Sequence, residues 1–562
     1  MGARPVAAAM NRHLYPLLFA VAPVLEIAAR NPGQYRFSDL AVVLAAVVLA
    51  SVLAAVVLFA AVRALDRSGR AEPLAAALTL LAVAWFFCYI PAQNALSVVD
   101  HRLSGHRVLV PLGILTTLAV MVWLLRQPRS RLLGVSAFMT RFGLILLALM
   151  GLQGLLSHRR GPQAARRSSL VRELAAPVQT VGPAAPSRNT PQRDIYLIVL
   201  DGHANARVLE EVFGFDNSGF EDSLRALGFQ VPRDVRSNYV QTYLSVSSLL
   251  NFAHVTRLAG DAGVTSKDHS LPTFLVKHNR AARFLKERGY RYVLFPSAWW
   301  AATANSPLSD EEFAPHEKFN IGVEATRTEL RLAVARSTLL HLVLRPAQTS
   351  VPLVRFLLRT FEGLQEIPAN PAPTFTFAHV LLPHIPYLLD ERCDPLEHSI
   401  PDDMEADTPE QRADYIGQVR CVDRLVLDLV TTLLRRSSTP PVILVVGDHG
   451  PRFADVDFYE HPESVSTAFI RERFGAFGAF YLPVGGESAF PEPVTLVNVL
   501  GNVLRYYFNA DLQPSLNDMY VSGEQLYRFY PVDARLLGEP GRELDAGSQR
   551  AQAEARPLPA SR

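Results

Sequence analysis

The sequence predicts a chain in two parts. An N-terminal polytopic α-helical membrane domain of about five spans precedes an α/β domain whose mainly parallel sheet has helices on both faces. Three observations carry this expectation. Five apolar runs crowd into roughly the first 160 of 562 residues. Further on, apolar runs of strand length, Ile195 to Leu200 and Pro441 to Val446, end abruptly in Asp201-Gly202 and Gly447-Asp448-His449-Gly450. Segments of helical period separate such runs. Buried parallel strands read as continuous apolar runs, and open α/β sheets gather their chemistry at the carboxyl ends of their strands.

The apolar runs are Tyr15 to Ala29, Leu40 to Val62, Pro73 to Ala92, Val108 to Leu125 and Leu132 to Leu156. A helix needs roughly 20 mostly apolar residues to cross a bilayer. The last four runs meet that standard, whereas the first is short and carries Pro23 and Glu26. Nothing after Tyr15 resembles a cleavable signal, because the run leads into further spans. With five spans and the N-terminus inside, Arg63, Arg67, Arg70, Arg126, Arg129 and Arg131 fall on the cytoplasmic side, as the positive-inside rule asks. Arg159, Arg160, Arg166, Arg167 and Arg172 then fall outside, against that rule. Four spans would put everything after them in the cytoplasm, so arginine counting leaves the orientation open.

Residues 158–192 are rich in Arg, Ala, Pro, Ser and Gln and read as a solvated linker, with a headgroup-binding basic patch as the alternative. Residues 193–530 are globular in composition. Helices are expected at Gly219 to Leu227, Asn279 to Arg288, Pro409 to Arg436 and Thr495 to Phe508, and strands at Tyr290 to Phe295, Thr374 to Val380 and Ala476 to Leu482. In the longest helix Ile416, Val419, Val422, Val426, Leu429 and Leu433 share one face. Residues 531–562 are polar, with Pro, Glu, Arg and Ala, and are expected to be a disordered tail. The net charge is +2, and no nucleic-acid partner is expected.

Two carboxylates, an imidazole and a hydroxyl gathered at strand ends could hold a divalent metal against a nucleophile. Gly202 permits a tight turn and close ligand approach after Asp201. The adjacent Asp448 and His449 suit Zn, Mn or a similar ion. Between the two strand ends, Ser237 to Asn251 is rich in hydroxyls and closes in an apolar run. A hydroxyl at a helix N-terminus is commonly a cap, and becomes a nucleophile when a metal lowers its pKa. From the residues alone Thr242, Ser245, Ser247 and Ser248 are all candidates.

This ordered set resembles the alkaline phosphatase superfamily in its sulfatase-like branch, with the layout of membrane-anchored lipoteichoic acid synthases and phosphoethanolamine transferases. The motifs are Tyr-Leu-Ile-Val-Leu-Asp201-Gly, Ser237-Asn-Tyr with Thr242 and Ser248-Leu-Leu, His379 to Tyr387, and Val-Gly-Asp448-His449-Gly. The resemblance implies Thr242 as nucleophile, with Asp201, Thr242, Asp448 and His449 as ligands of one divalent ion (Mn, Zn or Mg). It also implies that His384, in a His-x-Pro-like turn, contacts the oxygens of the transferred group. The Cys-x-Pro-x-Arg signature of sulfatases is absent, since the residues are Thr242-Tyr-Leu-Ser245-Val. This favours phospho-transfer over sulfate ester hydrolysis. No second ligand set is evident, although a second metal is left open.

The implied function moves a phosphoglycerol- or phosphoethanolamine-type head group from a membrane lipid donor, through a covalent threonine, to an envelope glycan or lipid acceptor. The implied location is the inner membrane, with the catalytic domain on the exterior, periplasmic face. The alternatives are a phosphate or sulfate ester hydrolase and an inactive sulfatase-like scaffold. His379 reads as a packed strand residue, and His203, His254, His278, His461, Lys277 and Arg280 as ordinary packed or surface groups. Cys88 lies in the third span. Cys393 and Cys421 would pair if the domain is exterior and stay free thiols if it is cytoplasmic.

Overall fold

The structure, a computed structural model, describes residues 14–30, 37–66, 69–99, 105–181, 192–297, 302–313, 330, 334–335, 337–340, 346–396, 407–455 and 457–532. The chain divides into two compact units. One comprises Met1–Arg160 with Asn320–Thr349, the other Gly161–Phe319 with Ser350–Arg562.

The first unit contains α1 (Tyr15–Arg30), α2 (Phe37–Leu65), α3 (Ala71–Val99), α4 (His106–Leu125) and the greater part of α5 (Arg129–Arg167). Four stretches are long and apolar enough to cross a bilayer: Asp39–Leu65, Ala71–Gln93, His106–Leu125 and Arg129–Leu155. The first expected span, α1, is an apolar helix of 16 residues and falls short of that length. Leu53, Leu115 and Phe138 are 63%, 64% and 65% exposed. Water penalises such surface and hydrocarbon does not.

Ala20, Val24 and Ala28 recur every fourth residue on α1 and pack with Val43 of α2 and Val83 and Phe87 of α3. Leu330 and Val334 join the same cluster, and the Leu339 amide donates to the Phe86 carbonyl at 3.0 Å. The globular part expected over 193–530 is therefore interrupted by a segment that packs in the first unit.

The second unit is built on a six-stranded sheet in the order β4-β3-β5-β1-β6-β7. The strands are β1 (Ile195–Leu200), β3 (Arg291–Phe295), β4 (Glu311–Glu312), β5 (Thr374–Val380), β6 (Val442–Gly447) and β7 (Gly478–Tyr481). All pairs are parallel except β6 with β7, the antiparallel edge. Two short pairs stand apart: β2 (Val235–Arg236) with β8 (Val494–Thr495), and β9 (Met519–Val521) with β10 (Tyr530–Val532).

Alternate residues of β1 feed two separate cores. Ile195, Leu197 and Val199 enter one, and Tyr196, Ile198 and Leu200 enter the other. Period-two alternation with both sets apolar is what covering a sheet on both faces requires.

Among the helices of the second unit are α6 (Ser169–Ala175), α7 (Ala206–Phe213), α8 (Ser218–Ala226), α9 (Thr242–Asn251), α10 (Ser270–Lys277) and α11 (Arg280–Lys286). They continue with α12 (Pro346–Leu364), which begins in the other unit, then α13 (Pro409–Arg436), α14 (Thr467–Phe474) and α15 (Leu496–Phe508). Thr408 caps α13 by accepting from the Gln411 amide, and Pro409 occupies the first turn, where its missing N–H costs nothing. Val419, Val422, Val426, Leu429 and Leu433 of α13 are fully buried.

The linker expected at 158–192 is instead helical through Ala175. Ser168 caps α6 by accepting from the Val171 amide and donates to Asp261 at 2.6 Å. Ala165, Leu170, Val171 and Leu174 are buried with Tyr239, Leu258 and Leu275. The Arg and Pro composition of this stretch masked a short apolar stripe. The tail from residue 533 lies outside the described residues.

Cys393, in the loop that follows β5, is disulfide-bonded to Cys421 of α13, with 5.1 Å between Cα atoms. Cys88 lies in α3 and is a free thiol. Closing a loop of 28 residues is worth about 3–4 kcal/mol in the chain-entropy account. Replacing both Cys393 and Cys421 by Ser should lower the melting temperature of the purified full chain. Non-reducing peptide mapping of the parent should recover the two peptides linked. Recovery of both as free thiols from freshly isolated membranes would contradict the bond.

Candidate metal and nucleophile centre

The register of the central strands assembles the site. Leu200 pairs with Gly447 on one side and Val380 on the other, so the residues just beyond them, Asp201 and Asp448, emerge side by side. Both are completely buried. Gly202 turns the chain at φ +75°, a conformation that favours glycine, and a Cβ there would lie 3.5 Å from the His384 Cα. Its amide donates to Asp448 Oδ1 at 3.1 Å, as does the His449 amide at 3.0 Å. One carboxylate oxygen of Asp448 is thus held by backbone, and Oδ2 is left facing the centre without a hydrogen bond.

Gly450 answers a different need. A Cβ there would sit 1.9 Å from the Glu472 carbonyl oxygen, so only glycine lets the loop pass α14.

The structure distinguishes the four hydroxyl candidates. Ser245 donates to the Asp448 carbonyl at 2.7 Å, Ser247 bonds back to the Leu244 carbonyl at 3.1 Å, and the buried Ser248 hydroxyl has no hydrogen bond among the described residues. Thr242, the first residue of α9, places Oγ1 3.0 Å from His449 Nε2. Residues three apart share a helix face, so the anchor at Ser245 sets Thr242 against His449. Ser237 also donates to the Asp448 carbonyl at 2.7 Å. Gln241 fixes the helix start, its side-chain amide donating to the carbonyls of Ser522 and Gly523 at 2.7 and 3.0 Å. The positive end of the α9 dipole therefore falls at Thr242.

His379, expected only to pack, has one ligand atom in a group with Asp201 and Asp448 whose three atoms lie within 4.8 Å of one another. Its Nδ1 bonds Thr303 at 3.1 Å, and its Nε2 lies 3.3 Å from Asp201 Oδ2 with no hydrogen bond of its own. His449 Nδ1 faces the Gly450 carbonyl at 3.0 Å, which leaves Nε2 as an acceptor, 3.2 Å from Asp448 Oδ2. That Nε2 also meets Arg473 Nη2 at 3.0 Å. His384 Nε2 is 4.0 Å from Asp201, and its Nδ1 faces the Ile385 carbonyl. Gln418 of α13 holds this turn by donating to the His384 carbonyl at 3.0 Å.

Burial alone would raise Asp201, but His384, His379 and His449 outweigh it and hold its carboxyl below the usual carboxylate range. Asp448 moves the other way, raised by burial and then by the charge of Asp201. Burial, with Arg473 adding to it, drives His449 well below an ordinary imidazole and keeps it neutral. Two buried carboxylates with an orphaned Asp448 oxygen and an orphaned imidazole nitrogen fit a divalent cation. Oxygen and imidazole donors together suit Zn or Mn better than Mg. Asp201, His379 and Asp448 would hold it, with Thr242 and His449 alongside.

Other histidines serve the frame. His203 bonds Asp423 of α13 at 2.8 Å, and His254 bridges Tyr239 and the Leu516 carbonyl. His278 stacks on Phe274, and His461 is exposed beside Glu463. Arg280 lies over the Phe252 ring, and burial lowers Lys277.

A cavity of about 340 Å3 opens beside Thr242, walled in part by Lys267, His269, His384, Tyr459 and Arg473. Of these only His384 was singled out in the sequence. Glu472, next to Arg473, is buried and accepts from the Phe453 and Ala454 amides, and burial pushes it up to about 7.

Among known proteins, the sulfatase family matches residues 347–470, a stretch that includes His379, His384, Asp448 and His449. No curated protein matches the chain. Similar solved structures include the zinc complex of the C-terminal periplasmic domain of EptC from Escherichia coli, 12% identical, covering 64% of this chain and 98% of that one at TM-score 0.40. The integral membrane lipooligosaccharide phosphoethanolamine transferase EptA of Neisseria meningitidis is 13% identical, with 82% and 95% covered at TM-score 0.39. The putative sulfatase yidJ of Bacteroides fragilis is 13% identical, with 57% and 75% covered at TM-score 0.33.

Two outcomes test this centre. His379→Ala should cut the bound divalent metal well below one per chain, measured by elemental analysis of full-length protein, whereas His461→Ala should leave it unchanged; equal metal in both would remove His379 from the ligand set. The second concerns Glu472. Its proton is held more tightly in the folded state, so its stabilising contribution is complete below about 4.5 and is lost as pH rises through about 7. Relative to the parent, Glu472→Gln should therefore gain stability between those pH values in denaturant titrations. A difference flat with pH would refute the shift.

Residues 347–470 thus match the sulfatase family, C-terminal to a set of helices long and apolar enough to span a membrane.

Proposed function

We propose that this protein is a membrane-anchored, metal-dependent transferase. It moves a phospho-head-group of phosphoglycerol or phosphoethanolamine type from a lipid donor, through Thr242, to an envelope glycan or lipid. The observation that carries this reading is the Thr242 hydroxyl, held 3.0 Å from a neutral His449 Nε2 at the positive end of a helix and beside an open cavity.

In the first half-reaction a Thr242 Oγ–P bond forms and the P–O bond to the donor lipid alcohol breaks, the alcohol leaving with a proton. In the second, an acceptor hydroxyl attacks phosphorus, the Oγ–P bond breaks, and Thr242 regains its proton. The divalent ion, when bound, lowers the pKa of the attacking hydroxyl and offsets charge on the phosphoryl oxygens. His449 Nε2, kept neutral, accepts from the Thr242 hydroxyl and so orients it. His384 is partly exposed on the cavity wall; with Nδ1 turned to the Ile385 carbonyl, its Nε2 donates to a developing oxyanion when the ring is doubly protonated.

The membrane-length helices support a lipid donor, since tethering raises its effective concentration at the site. The Cys393–Cys421 disulfide supports an exterior, periplasmic location, because such bonds persist in oxidising compartments. The sulfatase-family match favours, as a second reading, hydrolysis of a phosphate or sulfate ester at the same centre.

The deciding experiment is mass spectrometry of the Thr242-containing peptide from protein purified out of native membranes. The expected result is an adduct on Thr242 with the mass of phosphoethanolamine or phosphoglycerol, absent after Thr242→Ala. A bare peptide in protein that carries its metal and hydrolyses a model ester would replace transfer by hydrolysis. An adduct on Ser245 or Ser248 would remove Thr242 from its role.

A further inference from the structure

Arg473, on α14, is a buried cation. Its Nε donates to the Val240 carbonyl at 2.9 Å, Nη1 to the Gly450 carbonyl at 2.7 Å, and Nη2 to His449 Nε2 at 3.0 Å. A guanidinium carries five N–H donors, and these bonds use three of them. Among the described residues no carboxylate oxygen lies within 4.0 Å of it. A buried charge is costly unless something pairs with it. The side chain lines the cavity beside Thr242 and also a smaller recess of about 50 Å3 near Arg452 and Tyr387.

We propose that Arg473 binds a non-bridging oxygen of the ester that reacts at Thr242, and that it selects a singly charged tetrahedral ester. The proposal rests on reading this centre as one of ester transfer. Its charge count concerns the chain's own groups. Asp201 and Asp448 face the candidate cation site, and with no carboxylate oxygen within 4.0 Å among the described residues, the single charge of Arg473 is left to be met from the cavity. Lys267, at the cavity rim, is already paired with Glu524. Phosphodiesters and sulfate monoesters both carry a single charge at neutral pH, whereas phosphate monoesters carry closer to two. The fork of N–H groups suits a tetrahedral oxyanion in a way that the single point charge of a lysine does not.

The test is binding, on full-length protein in detergent with its metal bound, in the Thr242→Ala background so that no covalent step intervenes. A missing adduct on Thr242 therefore leaves the binding result intact, and the two ideas fail separately. The probes are dimethyl phosphate, methyl sulfate and methyl phosphate, titrated by ligand-observed NMR. Arg473→Gln should weaken the first two by roughly tenfold to a hundredfold, the size of a lost charge-assisted contact. Arg473→Lys should weaken them by less, and metal content should hold. Tighter binding of dimethyl phosphate than of methyl sulfate assigns a phosphodiester substrate, and the reverse a sulfate ester; either supports the anion contact. Methyl phosphate binding tightest would overturn the selection of single charge. Affinities within twofold of the parent in the folded variants would make Arg473 only a strut between Val240 and Gly450. Should Arg473→Gln not fold, crystals of the unmodified protein soaked in tungstate decide. An anomalous peak within hydrogen-bonding reach of the Arg473 guanidinium supports the proposal, and a peak elsewhere, or none, overturns it.

Discussion

Two like charges placed side by side set the terms for this domain. Parallel pairing of β1 with β6 in the observed register brings Asp201 and Asp448 together in a fully buried place, where neither solvent nor distance relieves their repulsion. The surrounding structure is organised to meet that cost. Backbone amides of Gly202 and His449 take one oxygen of Asp448, imidazoles of His379, His384 and His449 surround Asp201, and the remaining atoms converge on a point that a cation would fill. Gly202 and Gly450 belong to the same constraint, one as a left-handed turn and the other as clearance beneath a carbonyl.

The hydroxyl-rich run acquires its meaning from that arrangement. Read alone, Ser237 to Ser248 offers several equivalent nucleophiles. In the fold, Ser237 and Ser245 both bond the Asp448 carbonyl, so they act as fasteners that dock α9 against the end of β6. Thr242 lies one helical turn before Ser245 and is carried to His449 by that docking. The division of labour between fasteners and reactive hydroxyl follows from tertiary contacts more than 200 residues apart in sequence, which no local pattern records.

Much of the fold was legible for the same reason that much of the site was. Continuous apolar strands such as Ile195 to Leu200 and the single-faced helix Pro409 to Arg436 are strong periodic signals, and ligands stand out at their ends. What escaped was everything defined by a partner distant in sequence. His379 sits inside β5 and looks like a packed residue until β5 is laid beside β1, where it faces Asp201. Arg473 follows His449 by 24 residues, on another element, with no motif around it. The segment from Ser168 to Ala175 was hidden by its arginines and flanking prolines, although Leu170, Val171 and Leu174 make a stripe that a short helix can bury. Leu330 and Val334, which pack among the apolar helices, had no apolar run of spanning length to announce them.

His449 shows how closely the roles at this centre are coupled. Its Nδ1 faces the Gly450 carbonyl, so Nε2 must accept, and two donors compete for it: the Thr242 hydroxyl and the Arg473 guanidinium. A neighbouring positive charge and burial both disfavour protonation of that nitrogen. A neutral acceptor beside a threonine hydroxyl orients the hydroxyl proton and leaves the oxygen lone pairs directed away from the imidazole. Arg473 therefore acts on Thr242 through His449 as well as on the cavity it lines. A change at Arg473 would be felt first in the neutrality of His449, and only then in the geometry of the reactive hydroxyl.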